Sequence, residues 1–238
     1  MMATMDVSEP LAQQAAAEER LIGSARTLTD TDLAADSLVP PWTRGHVLTH
    51  VARATDSLAR LVDSARTGVP TPQYPSTESR AADIEAGASR PLDEQLADFR
   101  AASQRFHVAV EALPDAAWSV LVQPRSGAPR TAAGLLELRL REIEVHNCDL
   151  AAEYTFADIP AEIARTILDD IVGNLARRDP APTLRIEVAD GDHDYELGTG
   201  GPLITGDRAD LLAWLTGRFA GDRLISSSGP VPEAPAWI

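Results

Sequence analysis

A single cysteine, Cys148, stands in a chain of 238 residues. No intrachain disulfide can form, and a zinc knuckle built on several thiolates is excluded. Basic side chains are scarce beside acidic ones, 21 against 36, for a formal net charge of −15. With no basic stripe anywhere, neither nucleic acid nor an anionic membrane is expected as a partner. Apolar runs are short as well, and none approaches the roughly 20 residues that span a bilayer. The opening stretch Met1-Met2-Ala3-Thr4-Met5-Asp6 lacks the basic and apolar regions of a secretory signal, so a cytoplasmic protein is expected. Its acidic surface fits a monomer.

What is present is helical periodicity. Ser8 is placed to cap a helix with Pro10 in its first turn, running through Leu11, Leu21 and Ile22 to about Thr27. Thr43 caps a second, whose apolar stripe reads Val47, Val51, Ala54, Leu58, Leu61 and Val62. A proline-rich loop, Pro70 to Pro75, precedes a short helical stretch around Arg80 to Glu85. A third long helix is expected from Ser89, through Leu92, Leu96, Phe99, Phe106 and Val110 to a stop at Pro114. After a turn or hairpin at Gln123 to Pro129, Thr131 caps a fourth helix through Leu135, Leu138, Glu142, Val145 and Asp149. Four amphipathic helices of this kind make a bundle.

Beyond about residue 155 the pattern changes. Pro160 opens a helix, Thr183 to Ala189 alternates at the period of a strand, and Asp190-Gly191-Asp192 turns into a second strand near His193 to Leu197. A strand at Leu203 to Thr205, a helix capped by Asp207 and a strand at Arg223 to Ser227 follow. The tail, Pro230 to Ile238, is extended and is expected to dock by its tryptophan or to fray. The expected architecture is α+β, a helix bundle over residues 1–155 followed by a small α/β domain over 156–238.

Two polar intrusions in the apolar stripes carry the chemistry. Glu142 and His146 lie four residues apart, neighbours on one helix face, and His50 falls within the apolar stripe of another helix. Buried polar groups without partners cost several kcal/mol, so one shared metal accounts for both violations. One carboxylate and two imidazoles, with no thiolate, suit zinc (Zn2+) with an open fourth position. His46, one turn before His50, competes for the ligand role, but Val47, Val51 and Ala54 bracket His50 more tightly. Asp149, three residues after His146, could orient that imidazole. Cys148 is read as a small packed residue, Glu144 as facing away from Glu142, and His107 and His193 as without partners.

Several separated stretches occur in one order: Trp42 to Ala52 around His46 and His50, Arg141-Glu142 with His146 and Asp149-Leu150, Thr155 to Pro160, and Ser226 to Glu233. In these the chain resembles the mycothiol-dependent maleylpyruvate isomerases over nearly its whole length. That resemblance implies a DinB-like four-helix bundle with a small C-terminal α/β domain. It implies zinc, or another divalent metal, on His50, Glu142 and His146. Mycothiol is the implied thiol cofactor and a small dicarboxylate the substrate, in gentisate degradation. The implied reaction is addition of the metal-activated thiolate to maleylpyruvate, bond rotation, and elimination to fumarylpyruvate. Arg218 matches the family's catalytic arginine, which would pair with a substrate carboxylate. The run Phe219-Ala220-Gly221-Asp222-Arg223 is bulkier and more charged than the small, glycine-rich run expected there, and Arg223 is a rival. Two other reactions use the same ligands, a permanent mycothiol S-transfer to another electrophile and metal-dependent hydrolysis. A non-catalytic module with a buried polar network is the remaining alternative.

Overall fold

The computed structural model describes residues 7–125, 128–189, 191 and 194–236. Its contacts divide the chain into two compact units, Met1–Tyr154 and Thr155–Ile238. Helix and sheet are both present, and the class is α+β.

The first unit holds helices α1 (Ser8–Ala25), α2 (Asp30–Leu33), α3 (Arg44–Thr67), α4 (Thr77–Ala88), α5 (Leu92–Glu111) and α6 (Gly134–Asp149). Strands β1 (Leu121–Val122) and β2 (Arg130–Thr131) pair antiparallel just before α6. Helix α3 packs against α4, α5 and α6, and α1 packs against α6. The apolar stripe of α3 is buried throughout, and Leu58, Leu61 and Val62 join Phe106, Val110, Trp118 and Leu135 in one cluster.

Local chemistry sets where these helices begin. Thr43 accepts from the backbone N–H of His46, while His46 Nδ1 accepts from the backbone N–H of Thr43, which satisfies two otherwise orphaned donors. Three expected starts shift. Ser8 is the first helical residue, preceded by an uncapped Val7. Ser89 terminates α4, and Pro91 stands at the start of α5. Thr131 lies in β2, yet its Oγ1 still accepts from the backbone N–H of Gly134 at 3.2 Å. Between α3 and α4 the backbones nearly touch. A Cβ at Gly45 would stand 2.1 Å from the Ala88 carbonyl oxygen, and one at Gly87 would stand 2.5 Å from Thr49 Cγ2. Only glycine permits this approach, and it fixes α4 beside the face of α3 that bears His50.

Helix α6 is enclosed along most of its length, with 13 of its 16 residues buried. Its charged side chains therefore need partners inside the protein. Arg139, fully buried, forms an ion pair with Glu18 at 2.7 Å and donates to Ser103 at 2.9 Å and to Gln14 at 3.2 Å. His107 lies 3.2 Å from the same Glu18 oxygen, so its expected isolation is incorrect: a carboxylate one helix away supplies the partner. Glu144 does turn away from Glu142, but it is fully buried, held by Arg20 at 2.5 Å and Tyr154 at 2.7 Å.

The second unit begins with a short 3₁₀ turn at Phe156–Asp158 and helix α7 (Ala161–Ala176). Strands β3 (Leu184–Val188), β4 (Asp194–Leu197), β5 (Leu203–Gly206) and β6 (Ile225–Ser226) form one sheet, in the order β4-β3-β5-β6. The β3–β4 and β5–β6 pairs are antiparallel, whereas β3 and β5 run parallel, with Ile186 opposite Ile204. Leu184, Ile186 and Val188 point inward, as the alternation along β3 requires. Helix α8 (Arg208–Leu215) packs against α7 and β5. Trp214 docks the tail by donating from its indole N–H to the Pro232 carbonyl at 3.1 Å. Trp237, expected to do this, lies outside the described residues, as do Asp190, Asp192 and His193 of the hairpin.

Burial raises the Glu18 pKa, but the nearby His107 imidazole and the charge of Arg139 outweigh it and hold the carboxyl below its ordinary range. A depressed carboxylate stabilises the fold above its unfolded pKa and loses that contribution as pH falls through the folded one. Glu18→Gln is therefore expected to destabilise the protein by about 3 kcal/mol at neutral pH, since it strands the buried Arg139 charge. Urea denaturation at pH 7 and at pH 3 should show that gap shrinking on acidification.

Candidate metal centre

Helices α3 and α6 each bring part of one polar cluster. His50, the last residue of the Gly45-His46-Val47-Leu48-Thr49-His50 run, points from α3 into the protein, and Glu142 and His146 stand one turn apart on α6. His50 Nε2 lies 3.1 Å from His146 Nε2 and 3.5 Å from Glu142 Oε2, and His146 Nε2 lies 3.6 Å from Glu142 Oε2. Ligands at zinc–nitrogen distances occupy tetrahedral corners about 3.3 Å apart. The three donors are thus spaced as one face of such a tetrahedron. Among the described residues, this is the group of His, Cys, Asp and Glu side chains that could hold a metal ion.

Neighbouring side chains orient each donor. Asp149 is fully buried and its Oδ2 lies 2.7 Å from His146 Nδ1. The proton held there leaves the Nε2 lone pair directed at the cluster. Arg141 binds the other carboxylate oxygen of Glu142, Oε1, at 3.2 Å, which leaves Oε2 for the imidazoles. Trp42 covers His50, with ring centroids 5.0 Å apart. Helix α4 contributes Arg80, whose Nη2 lies 3.3 Å from His50 Nδ1.

The electrostatics differ from one donor to the next. Burial pushes the His50 pKa down to about 4, the proximity of Glu142 only partly opposing it, so this imidazole is neutral at pH 7. At His146 burial also lowers the pKa, but the hydrogen bond to Asp149 and the nearby Glu142 carboxylate prevail and raise it. Burial raises the Glu142 pKa, yet the two imidazoles and Arg141 hold its carboxyl well below the usual range. A neutral imidazole, a carboxylate and a second imidazole backed by a carboxylate form a donor set suited to a divalent cation.

Other sequence candidates lie elsewhere. His46 turns to Thr43 at 2.8 Å and Glu85 at 3.1 Å, outside the three-donor group. Cys148 is buried. In the second unit, Arg218 follows α8, with its backbone N–H on the Ala213 carbonyl at 2.8 Å and its guanidinium on the Thr216 carbonyl. Arg223 pairs with Asp210 and lies over the Phe219 ring, 4.2 Å from its centroid. Sequence reasoning passed over Arg141, Trp42, Tyr74 and Arg80. Arg141 adjoins Glu142 in the chain and Trp42 precedes the α3 cap, but the loop that carries Tyr74 shows no periodicity. A cleft of ≈ 650 Å³ opens beside Tyr74, between residues 68–77 and the β1 strand.

The family described as Mycothiol maleylpyruvate isomerase N-terminal domain matches residues 14–151, and that described as MDMPI C-terminal domain matches residues 158–236. The chain belongs to the mycothiol maleylpyruvate isomerase family. Its structure is similar to the crystal structure of the mycothiol-dependent maleylpyruvate isomerase, with a TM-score of 0.89 and 29% sequence identity over 99% of this chain and 100% of the other. A histidine-to-alanine mutant of that enzyme matches with the same TM-score, 28% identity and the same coverage. Among curated proteins no match is found.

His146 depends on Asp149 for its tautomer, and removing such an outer partner typically costs tenfold to a hundredfold in metal affinity. Asp149→Asn is expected to weaken zinc binding by about that factor, read by competition with a chelating dye. Glu142→Ala is expected to abolish stoichiometric zinc in the purified protein, read by elemental analysis.

Proposed function

We propose that this protein isomerises maleylpyruvate to fumarylpyruvate with mycothiol as cofactor, using a divalent metal, zinc by the nature of its donors, on His50, Glu142 and His146. The observation that carries this reading is the convergence of those three donors in a chain whose two halves both match the family. The proposed frame is a DinB-like four-helix bundle over residues 1–155 and an α/β domain over 156–238, in a cytoplasmic monomer. When bound, the metal lowers the pKa of the cofactor thiol, so that a thiolate nucleophile is present at neutral pH.

The chain's own residues prepare that chemistry. His50 presents a neutral lone pair because its buried position disfavours the cation. Asp149 holds the Nδ1 proton of His146, and Arg141 fixes the rotamer of Glu142 by its Oε1. Trp42 walls His50 from bulk water, which strengthens each electrostatic contact within. Arg218 is assigned a substrate carboxylate and the enolate-like charge that develops on it, a task suited to a planar, permanently charged guanidinium.

Zinc-loaded protein is expected to convert maleylpyruvate to fumarylpyruvate only when mycothiol is added, followed by loss of the cis isomer on a chromatogram. A stable thiol adduct of some other electrophile, without isomerisation, would favour the S-transferase. Turnover without any thiol would favour a hydrolase. Arg218→Ala is expected to lower kcat/KM by about 10²-fold, the effect of losing one donor to developing charge, with zinc content unchanged.

A further inference from the structure

All 21 basic residues of this acidic chain are arginine, and many are neutralised by a carboxylate. Arg20 pairs with Glu144, Arg53 and Arg90 with Asp98, Arg105 with Asp56, Arg139 with Glu18 and Arg141 with Glu142. Arg80 breaks this pattern beside the metal cluster. No carboxylate partner is found for it among the described residues. Its guanidinium carbon lies 5.7 Å from the Trp42 ring centroid and 5.6 Å from that of Tyr74, and its Nε is buried without a hydrogen-bond partner.

Such an arginine is held by aromatic faces, which attract the cation without using its in-plane donors. The entropy of fixing the side chain is already spent, and the edge of the fork is left for an anion. Its contact with His50 Nδ1 sharpens the point. A guanidinium can only donate, so in the contact seen here Nδ1 accepts. When His50 Nε2 serves as a metal ligand, Nδ1 carries the proton instead, and two donors then face each other across 3.3 Å. An acceptor that reaches both groups resolves the conflict, and a carboxylate has two oxygens for the purpose.

The geometry points to Arg80 as a second substrate-binding arginine, one that receives a carboxylate of the dicarboxylate substrate on the His50 side of the cluster. This inference rests on the proposed function. The close approach of α3 and α4 at Gly45 and Gly87 places Arg80 there, and Trp42 and Tyr74 hold it.

Calorimetric titration of zinc-loaded protein with maleate, without thiol, separates binding from turnover. The wild type is expected to bind maleate, and Arg80→Gln to weaken that binding at least tenfold at unchanged zinc content and Tm. Arg80→Lys keeps the charge but loses the fork, and is expected to fall between the two; it also serves if the Gln variant does not fold. Equal maleate affinity in wild type and variants, no maleate binding by the wild type, or loss of affinity only together with loss of zinc overturns the assignment. If maleate binding depends on Arg80 but the wild type does not turn over maleylpyruvate, the isomerase reading fails and the anion site stands. If turnover is intact and Arg80→Gln leaves maleate affinity and KM unchanged, the reverse holds.

Discussion

Helix α6 is buried along nearly its whole length, with Glu137 alone exposed, and the first unit is arranged around that constraint. Its sequence is rich in charge, so each buried ion must find its counter-charge inside the protein rather than in water. Arg139 meets Glu18 of α1, and Glu144 meets Arg20 of the same helix together with Tyr154. Helix α1 thereby closes one side of α6, with Gln14 adding a hydrogen bond from its side-chain amide to the Leu136 carbonyl at 2.8 Å. The side left for α3 carries Glu142 and His146. Asn147 is the exception, buried with no hydrogen-bond partner for either amide atom among the described residues, at a cost in stability.

Two carboxylates two residues apart on α6 show how position divides labour. Glu142 and Glu144 lie about 200° apart around the axis. One faces two imidazoles and the other a guanidinium and a phenol. The Tyr154 pKa is raised by burial and by the Glu144 charge, which keeps the phenol a proton donor to that carboxylate. The imidazoles divide in the same way. His50 has lost solvent without gaining a carboxylate at Nδ1, whereas His146 has Asp149 there, so burial prevails at one and hydrogen bonding at the other.

The sequence made the three donors legible because each broke an apolar stripe that was otherwise regular. His50 stood out since Val47, Val51 and Ala54 around it are all buried. Helix α6 was harder: with 13 of 16 residues buried, periodicity identifies a helix but not how much of it is enclosed. Reading Glu144 as merely turned away, and His107 as solitary, follows from that. Their partners, Arg20 and Glu18, are 124 and 89 positions distant in the chain, and pairings over such distances leave no local trace. Arg80 was hidden for a related reason. Its meaning comes from Trp42 and Tyr74 on other segments and from a pair of glycines that let α4 approach α3. The β3 strand and its neighbours were easier, since alternation is local.

Enclosure of α6 also bears on how such a protein can diversify. A helix buried along most of its length tolerates few substitutions, because each change strands a buried partner on a neighbouring element. The wall built by Trp42, Tyr74 and Arg80 is different: the ring faces and the arginine fork are joined by contacts that do not hold the core. Substitutions in α4 and the proline-rich loop before it are therefore expected to disturb fewer buried partners than substitutions in α6.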